Sequence, residues 1–261
     1  MNNIDTIRND YGLLRRQARS LTDIMKVRIR LSNRQGAAER AGSIVIEDPL
    51  IASLRDIETD AEKAVIATMK KVVGPHMQEF LATPGIGDKL TARLLGEIGH
   101  PVIAFPQHWE ERPDAKGTDA DPKRVLIDEE PFERMVSQLW TYCGYGDPAN
   151  RRRQGMTQEE ALACGSPRAK SLVYLLSVGC MKMVGGEDKN GVVKPRSPYR
   201  NVYEEAKAHY ETARPEWSLI HRHNAALRKV SKEILKDLWT AAKADLATAE
   251  DRIEDKVLLA A

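Results

Sequence analysis

Apolar residues recur at helical spacing along most of this chain. Ile4, Ile7, Tyr11, Leu14, Ala18, Leu21, Met25 and Leu31 predict one amphipathic helix over residues 4–31. Arg15, Arg16, Arg19, Lys26, Arg28 and Arg30 fall between them. Residues 33–43 lose the period and hold Gly36 and Gly42, which predicts a loop. Asp48-Pro49 opens a second helix, with Asp as N-cap and Pro at the first helical position. Its stripe is Leu50, Leu54, Ile57, Ala61, Val65, Met69 and Val72, and Gly74-Pro75 ends it. Two such helices joined by a loop predict an antiparallel coiled-coil hairpin, with a pair of ordinary bundle helices as the alternative.

The pattern then shortens. Residues 76–81 and 90–98 read as two short helices around Thr83-Pro84-Gly85-Ile86-Gly87-Asp88-Lys89. This is the pattern of a helix–hairpin–helix. Gly85 and Gly87 permit a tight turn and leave amides uncovered at a helix N-terminus. Unpaired N–H groups and the helix dipole both favour a phosphate there. Lys89 and Arg93 add full positive charges one and two turns on. A tight αα-hairpin that only packs is the competing reading.

Residues 100–128 hold Pro101, Pro106, Pro113 and Pro122 with Asp114, Asp119 and Asp121, and predict an irregular surface insertion. The Asp cluster lacks EF-hand spacing and reads as a solvated acidic loop. Helices follow over 131–142, 167–181 and 199–213, and a last one starts near Trp217. Ser166-Pro167 caps the middle of these, with Leu172, Leu175, Leu176 and Val178 on its apolar side. Residues 144–155 read as a glycine-rich basic turn and 185–197 as a loop. The prediction is an all-α fold in four parts. A coiled-coil helical hairpin for oligomerisation covers 1–75 and the helix–hairpin–helix covers 76–100. The irregular insertion covers 101–130, and a C-terminal helical domain covers 131–261.

Composition agrees with helices: the 261 residues are 42% hydrophobic, 30% charged and only 5% aromatic. The net charge is +2, so the case for a polyanionic partner rests on local clusters. Residues 141–200 hold ten Lys or Arg against five acids, which leaves the remainder net acidic. Arg151, Arg152 and Arg153 repel one another in their turn unless an anion or an acidic side chain answers them. Arg168 and Lys170 open the next helix. Lys229, Lys232 and Lys236 lie opposite Leu227, Val230, Ile234 and Leu238 and read first as a solvated face. Trp140 and Tyr142 flank the basic turn, as base stackers or as core. His221 and His223 lack a third ligand at suitable spacing, so no metal and no cofactor is expected. Cys143, Cys164 and Cys180 are widely spaced and read as free thiols in a reducing compartment. No targeting segment and no bilayer-length apolar run is present, which predicts a cytoplasmic protein with no membrane partner.

Several stretches, in order, resemble one family, the insertion-sequence one-ten transposases related to the Piv-type DNA invertases. Asn33-Arg34 resembles the Asn-Arg near the end of the family's first coiled-coil helix. Pro84-Gly85-Ile86-Gly87 followed by Leu94-Leu95-Gly96-Glu97-Ile98-Gly99 resembles its hairpin and its Leu-Leu-x-Glu-Ile-Gly. Leu139-Trp140-Thr141-Tyr142-Cys143-Gly144 is similar to its Leu-x-x-Tyr-x-Gly, and Gly165-Ser166-Pro167-Arg168 loosely to its next helix start. Residues 199–207 and 226–239 resemble its last two helices. Two departures stand beside these matches. The family carries an N-terminal RuvC-like domain with an acidic metal-binding tetrad, and this chain begins at the coiled coil. The family's nucleophilic serine precedes a glycine in the basic turn, whereas Gln154 precedes Gly155 here and no Ser occurs between Ser137 and Ser166.

The resemblance therefore implies a DNA-binding protein built like the non-resolvase half of such a transposase, with catalysis lost and no catalytic residue to name. Structured RNA is a further partner that the family implies. The candidate DNA-binding residues are Gly85, Gly87, Lys89 and Arg93 at the hairpin, and Arg151, Arg152, Arg153, Arg168 and Lys170 beyond it. The N-terminal helices would form a homo-oligomer. The alternatives are a recombinase subunit working with a separate RuvC-like partner and a protein-binding helical scaffold.

Overall fold

Helix α1 (Asn3–Arg40) follows the predicted stripe and continues through the stretch that was expected to be a loop. The computed structural model describes residues 3–42, 48–111, 124–147, 149, 153–157, 160–161, 164–187 and 189–258. Gly36 lies inside α1. One glycine costs a helix only about 1 kcal/mol, and its neighbours Gln35, Ala37, Ala38, Glu39 and Arg40 are mostly strong helix formers. Asp48 caps α2 (Pro49–Val72) as expected, its Oδ1 accepting from the Leu50 amide at 2.9 Å.

The two helices run antiparallel, since Arg28 meets Glu58 while Tyr11 reaches Met77 beyond the end of α2. The buried seam of α2 is Ile51, Glu58, Val65 and Met69. Ile57, expected in the stripe, is 51% exposed. Heptad steps from Ile51 lead to Glu58, and Arg28 Nε donates to its carboxylate at 2.5 Å.

Helices α3 (Pro75–Leu81) and α4 (Asp88–Ile98) flank the hairpin turn. Helix α4 is buried at Thr91, Ala92, Leu94, Leu95, Gly96 and Ile98, which covers somewhat more than half of the directions around its axis and leaves Lys89, Arg93 and Glu97 on the less buried side. Gly96 lets α1 come close: a Cβ there would lie 2.5 Å from Ala18 Cβ and 3.2 Å from the Leu14 carbonyl oxygen. Two arginines cap the C-terminus of α4. Arg15 of α1 donates to the Gly96 and Glu97 carbonyls at 3.3 and 3.5 Å. Buried Arg134 donates through Nη2 to the Ile98 and His100 carbonyls at 3.0 and 2.9 Å. Cations at the negative end of a helix gain from both the hydrogen bonds and the dipole. His100 is also buried, and its Nδ1 accepts from the Val102 and Ile103 amides at 3.1 and 3.0 Å. Its ring is therefore neutral, with the hydrogen on Nε2.

The insertion expected to be irregular contains paired strands. Strand β1 (Ile103–Ala104) pairs antiparallel with β4 (Phe132–Glu133), and β2 (Gln107–Glu111) with β3 (Arg124–Asp128), in the register Gln107↔Asp128. Prolines and acids around these short runs hid their pairing. Residues 112–123, with Asp114, Asp119 and Asp121, lie outside the described residues.

Helices α5 (Val136–Tyr142) and α6 (Pro167–Lys182) follow. Ser166 caps α6 as expected, its Oγ accepting from the Ala169 amide at 3.2 Å. A further correction falls on the expected loop 185–197: β5 (Val184–Glu187) and β6 (Val193–Arg196) form an antiparallel hairpin there. Glycines and a proline within it read as loop residues.

The chain closes with α7 (Pro198–Ala213) and α8 (Leu219–Leu258). Helix α8 lays Leu227, Val230, Ile234, Leu235 and Leu238 into one buried cluster shared with Leu14, Leu94 and Leu176. Its Asp245 accepts from the His76 and Met77 amides at 2.9 and 3.1 Å and so caps α3. The fold is mostly helical, with eight helices among the described residues, none long and apolar enough to cross a membrane.

Gly96→Ala should force α1 and α4 apart and lower stability by about 1–3 kcal/mol. At roughly 2–4 °C per kcal/mol this is a clear drop in Tm, and Ala18→Gly in the same chain should restore part of it. An unchanged melting curve for Gly96→Ala would refute the close crossing. Burial of His100, with Arg134 adding repulsion, brings its pKa down to about 4. The unfolded chain then takes up this proton first as pH falls. The contribution of His100 is thus intact above about pH 6.5 and is lost between there and pH 4, by about 3 kcal/mol in full. His100→Asn keeps an acceptor for the same turn without titrating. Urea unfolding at pH 7.5 and 5 should show a smaller pH difference for the variant than for the parent.

Candidate nucleic-acid interface

At the hairpin, Gly85 adopts φ +95° and faces α6, where a Cβ would lie 2.7 Å from Cys180 Cα. That side of the turn is packed, as the purely structural reading had it. Gly87 stays exposed, and α4 starts without a side-chain cap. The charges around this start are already matched. Lys89 Nζ lies 2.5 Å from Glu62 and 3.4 Å from Glu58, and Lys70 binds Asp88 at 2.6 Å. The hydrogen bond from Arg28 chiefly holds Glu58 below its usual carboxylate range, with Lys89 adding to it. Lys89, expected on a phosphate, instead closes an ion network between α4 and α2.

Unmatched charge gathers elsewhere. A cleft of about 310 Å³ opens between α1, α4 and α6. Arg19 and Lys26 reach it from α1, Arg93 from α4 and Arg168 from α6, over an apolar surface that includes Ala18, Pro167, Leu172 and Leu175. Lys26 is paired with Asp23 at 2.9 Å. Asp23 is held below its ordinary range by Lys26 first and by Arg168 at longer reach. Among the described residues Arg19, Arg93 and Arg168 make no hydrogen bond or ion pair through their guanidinium groups. The Nε of Arg93 is shielded from solvent with no partner. Burial pulls the Arg93 pKa below its ordinary value, opposed by the charges of Glu58 and Glu62. The one carboxylate lining the cleft, Glu97, accepts from the Ser166 hydroxyl at 2.7 Å.

Across the first turn of α6 lies a smaller hollow of about 230 Å³ that includes Thr141, Gly144, Cys164 and Lys170 in its wall. Lys170 itself is exposed. Arg93 and Arg168 thus meet in one cleft and Lys170 stands beside it, while Gly85, Gly87 and Lys89 do not line it. Arg151 and Arg152 lie outside the described residues. Arg153 is exposed and donates to the Ala149 carbonyl at 3.4 Å. Part of the basic surplus of residues 141–200 is neutralised, since Arg196 and Arg200 both bind Glu204.

Arg19 and Lys26 were not among the expected site residues. Their sequence signal was only that they fall on the polar side of the α1 stripe, which many solvated residues share. Other candidates resolve as structural. Trp140 donates to the Lys232 carbonyl at 3.0 Å, with Lys232 Nζ 4.2 Å from its ring centre. Tyr142 donates to the Glu97 carbonyl at 3.3 Å. His223 Nδ1 lies 2.7 Å from the Tyr203 hydroxyl. The chain matches no protein-family model, no curated protein and no solved structure.

Glu58→Gln leaves Arg28 without its carboxylate and Lys89 with Glu62 alone, and should cost about 1–3 kcal/mol at pH 7. Because the folded pKa is depressed, this contribution is present above the unfolded carboxylate value and is lost as pH falls through the folded one. Urea titrations at pH 7 and pH 3 should show the gap between parent and variant closing at the lower pH. A gap of equal size at both would contradict the ion network.

Proposed function

We propose that this chain binds the phosphate backbone of DNA without cutting it, using the cleft between α1, α4 and α6. One observation carries the reading: Arg19, Arg93 and Arg168 converge from three helices with no carboxylate in contact among the described residues. Like charges so gathered repel, and a phosphate answers them with several acceptor oxygens in a geometry suited to guanidinium groups. Lys170 and Arg153 extend the cationic surface beyond the cleft. The open start of α4 at Gly87 offers a further contact, without the help of Lys89.

The resemblance to the non-resolvase half of the insertion-sequence one-ten transposases supports the same reading. It also makes the α1/α2 pair a coiled-coil element for homo-oligomerisation, next to the helix–hairpin–helix. Val27, Ile29, Leu50 and Ile57 leave apolar surface exposed on that pair, which suits self-association. A cutting role finds no support in Ser166, the first serine after the basic turn. Its hydroxyl donates to Glu97 and accepts from the Ala169 amide, as a helix cap does.

Fluorescence anisotropy with a labelled 20-base-pair duplex, repeated across salt concentrations, tests the proposal. With Arg19, Arg93, Arg168 and Lys170 on four phosphates, the log–log salt slope should be roughly −3.6. Arg168→Glu should weaken binding about tenfold or more and flatten the slope by about 1. Lys89→Met should leave affinity within about twofold, because that charge is already matched. A slope near zero for the parent chain overturns the proposal.

A further inference from the structure

We infer that the α1/α4/α6 cleft takes one unpaired nucleotide of a single strand, with its phosphate on Arg19 and Arg168 and its base against Leu172 and Leu175. The inference rests on the nucleic-acid reading above and names the form of nucleic acid. Three observations carry it.

The first is size. At about 310 Å³ the cleft is at the small end of the roughly 300–1,000 Å³ found for small-molecule sites. That is room for one nucleotide unit and not for a stack.

The second is the arrangement of polarity. The cations come from three different helices, while the surface between them is mostly apolar, with Thr22, Ser171 and Glu97 as its polar members. Leu175, expected in the core, is instead 47% exposed and contributes to that surface. A ligand that uses the whole cleft offers an anionic group to the cations and a flat apolar part to the surface between them.

The third is what a duplex can present. The phosphates of B-form DNA line the outside of a convex cylinder, and its bases are paired and stacked within. A duplex could meet Arg19 and Arg168 with phosphates but could not lay a base on Leu175. A single strand can turn a base out and place its face on apolar side chains, whatever the base. Arg93, half-buried with its Nε shielded and unpartnered, holds positive charge at the cleft out of bulk water. An anion there meets less competition from solvent than it would at an exposed lysine.

Anisotropy of the full chain decides this with four probes at one salt concentration: a 20-mer of thymidine, an abasic 20-mer with the same phosphates, a 20-base-pair duplex and free thymidine monophosphate. The thymidine 20-mer should bind about tenfold tighter than both the abasic strand and the duplex. Leu175→Ser, a change at an exposed position, should weaken the thymidine strand about threefold to tenfold. Equal binding of all three polymers would overturn the inference and leave backbone binding standing. Binding of none of them would overturn the reading on which it rests. Free thymidine monophosphate competing at the concentration of the strand's own midpoint would assign the cleft to a small nucleotide and overturn the strand.

Discussion

Helices α1 and α4 meet at Gly96 with only the Ala18 methyl between them, and much of the architecture is arranged around that contact. Ala18 opposite is as small as a side-chain-bearing residue can be, and the Leu14 carbonyl stands within van der Waals range of where a Cβ would go. Bringing the backbones so close lets Arg15 reach the Gly96 and Glu97 carbonyls from the neighbouring helix. Arg134 closes the remaining carbonyls at that end, and its own carbonyl accepts from Trp239 of α8 at 2.9 Å. The end of one short helix thus ties together the N-terminal pair, the strand ribbon and the last helix. The buried cluster around it is continuous from Leu14 through Leu94 to Leu238.

The same contact decides how charge is partitioned. Helix α4 turns its start toward α2, where Lys89 and Asp88 meet Glu58, Glu62 and Lys70. Farther along, α4 faces the groove between α1 and α6, where Arg93 shares a cleft with Arg19 and Arg168 and makes no ion pair, the charges of Glu58 and Glu62 acting on it only at longer reach. One helix therefore carries a matched set of charges at one end and contributes to an unmatched set on another side. Matched surface pairs of this kind are weakly attractive to an outside anion, because the local field is already cancelled. The unmatched set keeps its field, and half-burial of Arg93 strengthens it.

Much of the helical architecture was legible in the chain because capping and periodicity are local. Asp48-Pro49 and Ser166-Pro167 mark helix starts by a side-chain oxygen and a proline, and both starts stand where those residues put them. Local rules failed where a distant partner decides. Ile57 and Glu58 compete for one seam position, and Arg28, thirty residues away, settles it for the acid. Asp245 caps α3 from the far end of the chain, which no reading of residues 74–81 contains. The strands of residues 103–133 are two to five residues long and owe their existence to pairing across the intervening segment. At the candidate site, Arg93 and Arg168 were legible from their neighbours, whereas Arg19 and Lys26 joined them only through the packing of α1 on α4.

The way the cleft's hydroxyls are used bears on what it could distinguish. Thr22 and Ser171 both line it, yet each donates its hydrogen to a carbonyl one turn back in its own helix, at 2.8 and 2.9 Å. Glu97 is engaged by Ser166. What remains to face a ligand is chiefly guanidinium groups and aliphatic carbon, with the Lys26 ammonium and the second Glu97 oxygen beside them. Guanidinium groups recognise phosphate geometry, which is the same at every nucleotide, and aliphatic carbon accepts the face of any base. Discrimination between bases needs donors and acceptors fixed toward base edges. A cleft whose hydroxyl hydrogens are already committed to its own backbone lacks much of that equipment. On the proposed reading it would therefore hold a nucleic acid by its chemistry rather than by its sequence.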